Sequence, residues 1–269
     1  TNLFGSEKRM ELSFPDKPET LITNAIDLLT GPLPPSLSTI WSKREVLNRA
    51  LSLGTKRKKH GPVIEYCIKP CDLHQLPLLT CWIDDGGPFI TLPLVYTEGS
   101  NPKNTNHKTS NLGMYRIQRF DKQLAGLHFQ IGKGAGFHYI EAEHKNQKLP
   151  VSIFLGGPPA LLLAAIAPLP ENVPEILFSS LLLGKKLDTV KRDHPHPIIA
   201  ECEFAIQGYA NPHERKLEGP FGDHYGYYGL AHEYPTLHIE HIYHRKDAIY
   251  PATVVGKPIQ EYLFIGNYL

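Results

Sequence analysis

The alternation of hydrophobic and polar positions predicts helices near the start of the chain and a sheet after residue 63. Apolar residues recur at helical spacing over residues 19–30, and a second short helix is expected around residues 42–51. Downstream, β-branched and aromatic residues lie between clusters of turn residues, which is the pattern of strands. Strands are predicted in these segments: VIEYCI, FITLPLVYT, GMYRIQRF, LPVSIFLGG, IIAECEFAIQGY, TLHIEHIYH and AIYPATVVG.

Two apolar helices are predicted in the middle of the chain. The segment ALLLAAIAP is apolar on all sides and indicates a buried helix, and EILFSSLLLG indicates another between Pro174 and Gly184. The regular alternation of strands and helices that a doubly wound fold requires is missing from the sequence. We therefore predict the α+β class, with the sheet closed into a barrel.

Composition and charge exclude several classes of function. Hydrophobic residues make up 41% of the 269 residues and charged residues 20%, as in globular proteins. The net charge of +1 argues against a nucleic acid or an anionic membrane as the main partner, because both require a basic surface. The basic run at residues 56–60 is interpreted as a solvated loop. No apolar run approaches the ~20 residues that a membrane-spanning helix needs.

The four cysteines indicate the cellular compartment. Cys67, Cys71, Cys81 and Cys202 lack the paired spacing of a structural zinc site. Free thiols fit a reducing environment, so we expect a cytoplasmic protein. The first residue is not Met and the last residues are apolar, from which we expect the chain to be part of a longer protein.

Two short segments carry candidate ligand-binding residues. In NLGMYR, Asn111 offers an amide oxygen suited to a hard cation, and Arg116 offers a fork of donors suited to phosphate or carboxylate. On one strand these two residues point to opposite faces unless Asn111 lies at the strand entrance, and an exposed arginine with a turn asparagine is the alternative. In GKGAGFHY, three glycines around Lys133 suit the close approach of an anion, and a flexible loop explains them equally well.

Three carboxylates are the remaining candidates. Glu175 lies in the first turn of a predicted helix, where a simple partner of the helix dipole is the alternative to a functional role. Glu218 and Asp223 flank a glycine-rich stretch in EGPFGDHYGYYG and would face one cavity if the backbone kinks there. Like charge or burial would then raise the pKa of one of them toward the range of a general acid, whereas a surface turn is the alternative.

Taken in order, these segments resemble the UbiD family of decarboxylases, whose founding activity removes the carboxylate of 3-polyprenyl-4-hydroxybenzoate in ubiquinone biosynthesis. The resemblance extends over nearly the whole chain. It rests on these blocks: NLFGSEKR, LPLLTCWIDDGGPFITLPLV, NLGMYR, LPVSIFLGGPPALLLAAIAPLPENVPE, EGPFGDHYGYY and HRKDAIYPATVVGKP. Several ordered blocks are far more specific than any one of them.

The resemblance implies a flavin-reductase-like split β-barrel, with flanking and inserted helices, that binds prenylated FMN together with Mn²⁺ and K⁺. Matching positions imply metal ligands at Asn111 and Glu175. They imply catalytic residues at Arg116, Glu218 and Asp223. They imply cofactor contacts at Met114, Tyr115, Arg116, His128, Phe129, Gln130, Lys133 and Gly134.

The implied reaction is a non-oxidative, reversible decarboxylation of an aromatic or conjugated acid through a covalent adduct with prenylated FMN. Arg116 would steer the substrate carboxylate and hold Glu218 ionised. Asp223 would protonate the carbon that CO₂ leaves, which requires a raised pKa. A flavin-binding module without decarboxylase activity, and an inactive fragment without cofactor, are the alternatives.

The resemblance also implies domains and partners. Residues 1–60 would be the remnant of a longer N-terminal region, and residues 61–269 the split-barrel domain, with the C-terminal oligomerisation domain of the family absent. The expected partners are an aromatic acid substrate, a flavin prenyltransferase that supplies the cofactor, and further copies of the full-length protein, with no nucleic acid. A lipophilic substrate would bring the protein to the periphery of the inner membrane.

Overall fold

Strands and α-helices are distributed along the chain. The structure is a computed structural model that describes residues 2–14, 23–24, 41–99, 110–130, 132, 134–169, 173–257 and 260–267. The strands are β1 (Thr55–Arg57), β2 (Tyr66–Cys67), β3 (Phe89–Ile90), β4 (Leu94–Glu98), β5 (Ser110–Met114), β6 (Ile117–Arg119), β7 (Leu124–Leu127), β8 (Leu149–Leu155), β9 (Leu187–Val190), β10 (Ile198–Ile199), β11 (Phe204–Ala210), β12 (Arg215–Glu218), β13 (Phe221–Gly222), β14 (Tyr228–Gly229) and β15 (His232–His244). The helices are α1 (Glu7–Ser13), α2 (Arg44–Ala50), α3 (Gly134–His144), α4 (Pro159–Ile166), α5 (Glu175–Leu183) and α6 (Glu261–Gly266).

Ten of the strands form one antiparallel sheet. Its order is β3-β6-β7-β15-β11-β8-β4-β5, and β2 and β12 also pair with the long strand β15. The sheet curls into a half-barrel, and no described residue of β3 pairs with β5 at the other end. The predicted α+β class with a split barrel is therefore confirmed. The expectation that the sheet closes into a barrel is wrong for the described residues, whose hydrogen-bonded ladder stays open between β3 and β5. Two smaller sheets join β1, β9 and β10, and β13 with β14.

Strand β8 shows why the sheet is buried on both faces. Its side chains alternate, so that Val151, Ile153 and Leu155 pack into one core cluster while Phe154 packs into another. The second cluster contains Leu161 of α4 and Ile176 of α5. Because α4 and α5 cover this second face, the strand is almost entirely apolar rather than alternating between apolar and polar residues.

A third core cluster joins the first and last described helices. Met10 of α1 and Ile265 of α6 pack together with Leu163 of α4. The Phe4 N–H donates to Glu261 Oε2 over 3.0 Å, which ties the beginning of the chain to the start of α6. None of the described helices is long and apolar enough to cross a membrane.

The helix predictions are confirmed where the structure describes the residues. The helix expected around residues 42–51 is α2, and the two apolar helices are α4 and α5. Most of the helix predicted over residues 19–30 lies outside the described residues. Helix α3 is not predicted by the sequence analysis, because its glycines favour a loop.

The strand predicted in AIYPATVVG, residues 248–256, is wrong. Pro251 has no N–H group for a ladder. Other backbone groups of this segment bond to side chains instead: the Thr253 N–H donates to Thr91 Oγ1 over 3.0 Å, and the Val255 carbonyl accepts from Trp82 Nε1 over 2.7 Å. The segment is therefore irregular and anchored by side chains.

Candidate functional site

The connection between β5 and β6 separates the candidate residues of the segment NLGMYR. Asn111 lies near the start of β5, whereas Tyr115 and Arg116 occupy the two positions between β5 and β6. Arg116 is therefore outside the strand that carries Asn111, and strand alternation does not fix their relative directions. The two residues belong to two neighbouring clusters.

A buried ion pair joins Arg116 to Glu218, the last residue of β12. The Nε and Nη2 groups of Arg116 donate to Oε1 and Oε2 of Glu218 over 2.8 and 2.9 Å. His128 Nδ1 lies 3.0 Å from Glu218 Oε2. The Glu218 side chain is fully buried, and those of Arg116 and His128 are 17% and 20% exposed. The Phe221 ring packs against the guanidinium at 4.7 Å.

The hydrogen-bond partners of Glu218 keep its carboxyl group ionised. Burial by itself raises the pKa of a carboxyl group, because it disfavours the charged form. Here the hydrogen bonds from His128 and Arg116, together with the charge of Arg116, outweigh burial, and the pKa of Glu218 lies below its usual range. Glu218 is thus an anion in the free protein.

Backbone contacts fix the position of Glu218. Gln118 of β6 accepts a hydrogen bond from the Gly219 N–H over 2.7 Å and donates one to the Gly86 carbonyl over 2.8 Å. A Cβ at Gly126 of β7 would lie 2.8 Å from the Phe120 ring and 3.3 Å from Glu218 Cγ, both tighter than ordinary van der Waals contact. Glycine at this position leaves room for the carboxylate side chain.

The second cluster forms around Asn111 and Glu175. Glu175 Oε2 accepts from the Leu112 N–H over 2.9 Å, and Asn111 Nδ2 donates to the Tyr115 hydroxyl over 3.4 Å. Burial raises the pKa of Glu175, although its hydrogen bonds to backbone N–H groups oppose the shift. A cation beside this half-buried carboxylate would stabilise its ionised form.

Helix α3 begins at the second cluster. A Cβ at Gly134 would overlap Asn111 Oδ1, so glycine is required where the helix starts beside the amide. The interpretation of GKGAGFHY as a flexible loop is wrong from Gly134 onward, because Ala135, Tyr139 and Ala142 are buried at helical spacing. The N–H groups in the first turn of a helix attract anions, so the start of α3 is compatible with the interpretation of this segment as an anion-binding site. Lys133 lies outside the described residues.

The other residues matched to cofactor contacts differ in exposure. Met114 is half-buried against apolar side chains of two core clusters. Phe129 is buried and packs edge-on against Tyr115, with 5.5 Å between ring centroids. Gln130 is exposed. Phe129 therefore supports Tyr115 from the core.

Asp223 lies apart from the ion pair, in the loop between β13 and β14. Its Oδ1 accepts from the N–H groups of Tyr225 and Tyr227 over 2.8 and 3.0 Å. These bonds, that from Tyr227 foremost, hold the pKa of Asp223 below its usual range. The prediction of a raised pKa is wrong for this structure, because the partly exposed carboxyl group meets backbone donors rather than an apolar cavity.

Asp223 is part of the wall of a pocket of about 260 Å³. The pocket is lined by Trp82, Gly222, Asp223, Gly226, Tyr227, Tyr228, Gly256 and Lys257. A Cβ at Gly222 or Gly256 would overlap the indole of Trp82, so these glycines seat that ring. Arg116 and Glu218 are not among the residues that line the pocket. The β13–β14 hairpin provides lining residues, and Arg116 Nη1 lies 4.0 Å from the place of a Cβ at Gly229 in the same hairpin.

Three residues of this region have roles in the structure that their sequence context does not predict. Trp82 and Lys257 lie in blocks that support the family resemblance, but no local pattern identifies them as pocket walls. His128 is expected to contact a cofactor, and its bond to Glu218 is not predicted. These contacts join residues that are far apart in sequence, so they follow from the folded chain and not from local patterns.

Comparison with known proteins identifies the family. The model of the UbiD family, described as 3-octaprenyl-4-hydroxybenzoate carboxy-lyase Rift-related domain, matches residues 55–258. A protein of Chlamydia pneumoniae, named as one of the subunits of a 4-hydroxybenzoate decarboxylase, is 52% identical over 270 residues, which cover 100% of this chain and 45% of that protein. The chain spans about half the length of the relatives that it matches.

Solved structures agree with this assignment. The vanillic acid decarboxylase of Sedimentibacter hydroxybenzoicus, in closed form, superposes with a TM-score of 0.80 at 26% identity, over 98% of this chain and 54% of that chain. An evolved dimeric form of the UbiD-class enzyme HmfF from Pelotomaculum thermopropionicum, in complex with prFMN, gives a TM-score of 0.73 at 26% identity, over 83% and 53%. By family model, relatives and fold together, this chain belongs to the UbiD family.

Proposed function

We propose that this chain is the flavin-binding, catalytic part of a non-oxidative decarboxylase that acts reversibly on an aromatic or conjugated acid. The observation that carries the proposal is the buried, ionised Glu218 carboxylate, whose partner Arg116 approaches the β13–β14 hairpin; that hairpin also lines a pocket with a second carboxylate, Asp223. Burying a charge is costly, and perturbed carboxyl groups beside a cavity are typical of active sites. The names of the Chlamydia and Sedimentibacter relatives support the reaction type.

The cluster around Asn111 suits the phosphate end of a flavin mononucleotide. The first turn of α3 offers N–H groups beside the Asn111 amide, and Gly134 leaves its surface open. Binding of prFMN by the HmfF enzyme supports this choice of cofactor.

The same cluster suits Mn²⁺ as the companion of that phosphate. Asn111 and Glu175 provide the oxygen atoms that a hard cation prefers, and burial raises the pKa of Glu175, which forms no ion pair with any described residue. No group of three or more His, Cys, Asp and Glu side chains within the described ranges is arranged to hold a metal. The phosphate would therefore be a further ligand, and K⁺ beside it is proposed on the family resemblance alone.

Arg116 and Glu218 orient the substrate. Prenylated FMN, when bound, supplies the electron sink for the charge left by loss of CO₂, which no side chain offers. Glu218 occupies Nε and Nη2 of Arg116, whereas Nη1 forms no hydrogen bond with any described residue. Nη1 is therefore the group that binds the substrate carboxylate, and Lys257 adds a second positive charge at the pocket.

Asp223 delivers the proton to the carbon that CO₂ leaves. In the free protein its pKa is lowered, so the substrate itself has to change its environment. An acid bound in the pocket adds a like charge and excludes water, and both effects raise the pKa of Asp223. The Tyr225 and Tyr227 N–H groups both donate to Oδ1, so Oδ2 is the oxygen that we propose to carry the proton.

The substrate that we propose is 3-polyprenyl-4-hydroxybenzoate, in ubiquinone or menaquinone biosynthesis. The pocket, about 260 Å³, is smaller than the ~300–1,000 Å³ of sites for drug-sized ligands, so it suits the aromatic ring. The polyprenyl tail would lie outside it, near the exposed rings of Tyr225 and Tyr227. Such a substrate would bring a cytoplasmic protein to the periphery of the membrane. A flavin prenyltransferase would supply the cofactor, and the full-length protein would form a homo-oligomer.

Loading of the chain tests the proposal. We expect protein co-expressed with a flavin prenyltransferase to release a flavin with the mass of prenylated FMN. The loaded protein should liberate CO₂ from 4-hydroxybenzoates. Unmodified FMN with redox turnover would instead indicate a flavin-binding module, and no released flavin would indicate an inactive fragment, so either result would contradict the proposal.

Replacement of the proton donor gives a second prediction. Asp223→Asn keeps an oxygen acceptor for the Tyr225 and Tyr227 N–H groups but removes the transferable proton, so turnover should fall by about 10²–10⁴-fold. Flavin content should not change. Asp72→Asn is the matched control, because Asp72 also accepts a backbone N–H, that of His74, away from the pocket. Normal turnover of Asp223→Asn would disprove the role.

Replacement of Glu175 gives a third prediction. Glu175→Gln keeps an acceptor for the Leu112 N–H but lacks the charge that a cation requires, so bound manganese and bound flavin should both be lost. Metal analysis and the flavin absorbance measure them. Glu7→Ala is the control, since Glu7 is an exposed carboxylate in the first turn of α1. Full manganese and flavin occupancy in Glu175→Gln would refute the assignment.

A further inference from the structure

The backbone of one hairpin brings two hydrogen-bond donors to Glu218. Strands β6 and β7 pair antiparallel, with Ile117 opposite Leu127. Arg116 and His128 are the next residues on either side, and the His128 N–H donates to the Arg116 carbonyl over 3.4 Å. The two side chains therefore leave neighbouring backbone positions and meet the same carboxylate.

The acceptor determines the protonation of His128. An ionised carboxylate offers no proton, so the Nδ1 atom of His128, 3.0 Å from Glu218 Oε2, has to carry the hydrogen. The imidazole is held from another side by Tyr234 of β15, whose ring centroid lies 4.4 Å away. The bond to Glu218 and the packing against Tyr234 thus fix the orientation of the His128 ring.

The third hydrogen bond restricts a motion that Arg116 alone allows. A bidentate pair between a guanidinium and a carboxylate lies in one plane, and the carboxylate can tilt out of that plane while both bonds bend slightly. A donor from a second side chain, directed at Oε2, opposes this tilt. It also adds a partner that favours the charged form of Glu218.

We infer that His128 is a positioning residue for the proposed decarboxylation: its Nδ1–H holds Glu218 as a fixed anion, and Glu218 in turn aims the Nη1 group of Arg116 at the ligand. The inference rests on the proposed function for its catalytic consequence. The hydrogen bond itself is independent of that function. His128 needs no contact with substrate or cofactor for this role.

Few ionisable groups face this carboxylate from the elements packed around it. Among the described residues, Arg116 and His128 approach from the β6–β7 hairpin, and Tyr234 approaches from β15. His232 of β15 is the direct partner of Glu218 in the strand register. The pKa of Tyr234 is raised by burial and by the charge of Glu218, so its hydroxyl stays neutral near pH 7. Among the described residues, His128 is therefore the partner whose removal leaves the Arg116–Glu218 salt bridge in place and changes only the third bond.

Carboxyl ¹³C NMR on the ligand-free chain tests the inference without reference to catalysis. Glu218→Gln assigns the Glu218 resonance, which is then followed as a function of pH. His128→Phe keeps a ring against Tyr234 and loses the donor, so the pKa of Glu218 should rise by about one unit. His128→Asn loses the ring but keeps an amide donor near the Nδ1 position, so the pKa should stay close to the wild-type value.

His238→Phe is the matched control, because His238 also bonds a carboxylate, that of Glu214, on the exposed part of β15. It should leave the Glu218 resonance unchanged. An unchanged Glu218 pKa in His128→Phe would overturn the inference. A Glu218 pKa that shifts in His128→Asn but not in His128→Phe would also overturn it, because ring packing would then be the cause of the shift.

The loaded enzyme provides a second readout. His128→Phe should lower kcat while flavin content stays constant, and His128→Asn should restore most of kcat. If loaded wild-type protein shows no decarboxylation, the proposed function fails while the NMR result still decides whether His128 fixes Glu218. A kcat that is equal in wild type and His128→Phe would overturn the positioning role.

Discussion

The burial of one charged carboxylate, that of Glu218, is the constraint on which the site depends. A charge without access to water has to receive hydrogen bonds from fixed donors, and Arg116 and His128 supply three of them. Both donors belong to the β6–β7 hairpin, whereas Glu218 ends β12. The two elements are brought together because each pairs with β15, and the bond between Gln118 and the Gly219 N–H joins them directly. A shift of one residue in this register would turn side chains to the opposite face, so the sheet specifies the site.

The two clusters of candidate residues are connected by adjacent residues in the chain. Arg116 follows directly after Tyr115, whose hydroxyl belongs to the cluster of Asn111 and Glu175. A ligand that reaches from the first turn of α3 to the β13–β14 hairpin would therefore pass along this short connection between β5 and β6. An elongated cofactor with a phosphate at one end and a reactive ring at the other has the form that such an arrangement requires.

Sequence reasoning predicts what local patterns encode. The apolar helices α4 and α5, the α+β class and most strands follow from periodicity and turn residues. Helix α3 is missed because its glycines serve a tertiary contact, the overlap that a Cβ at Gly134 would have with Asn111. The partnership of His128 with Glu218 is missed because 90 residues separate them in sequence. The lowered pKa of Asp223 depends on loop N–H groups whose directions only the folded hairpin sets.

The most direct test of the account is a double-mutant cycle on the buried ion pair, with unfolding by urea measured for Arg116→Ala, Glu218→Ala and the double variant. Loss of either partner leaves an unsatisfied buried group, so each single variant should lose about 3–5 kcal/mol of unfolding free energy. The double variant should lose less than the sum, with a coupling of at least about 1 kcal/mol. Effects that add within about 0.5 kcal/mol would show that the two side chains do not depend on each other, and would contradict the account.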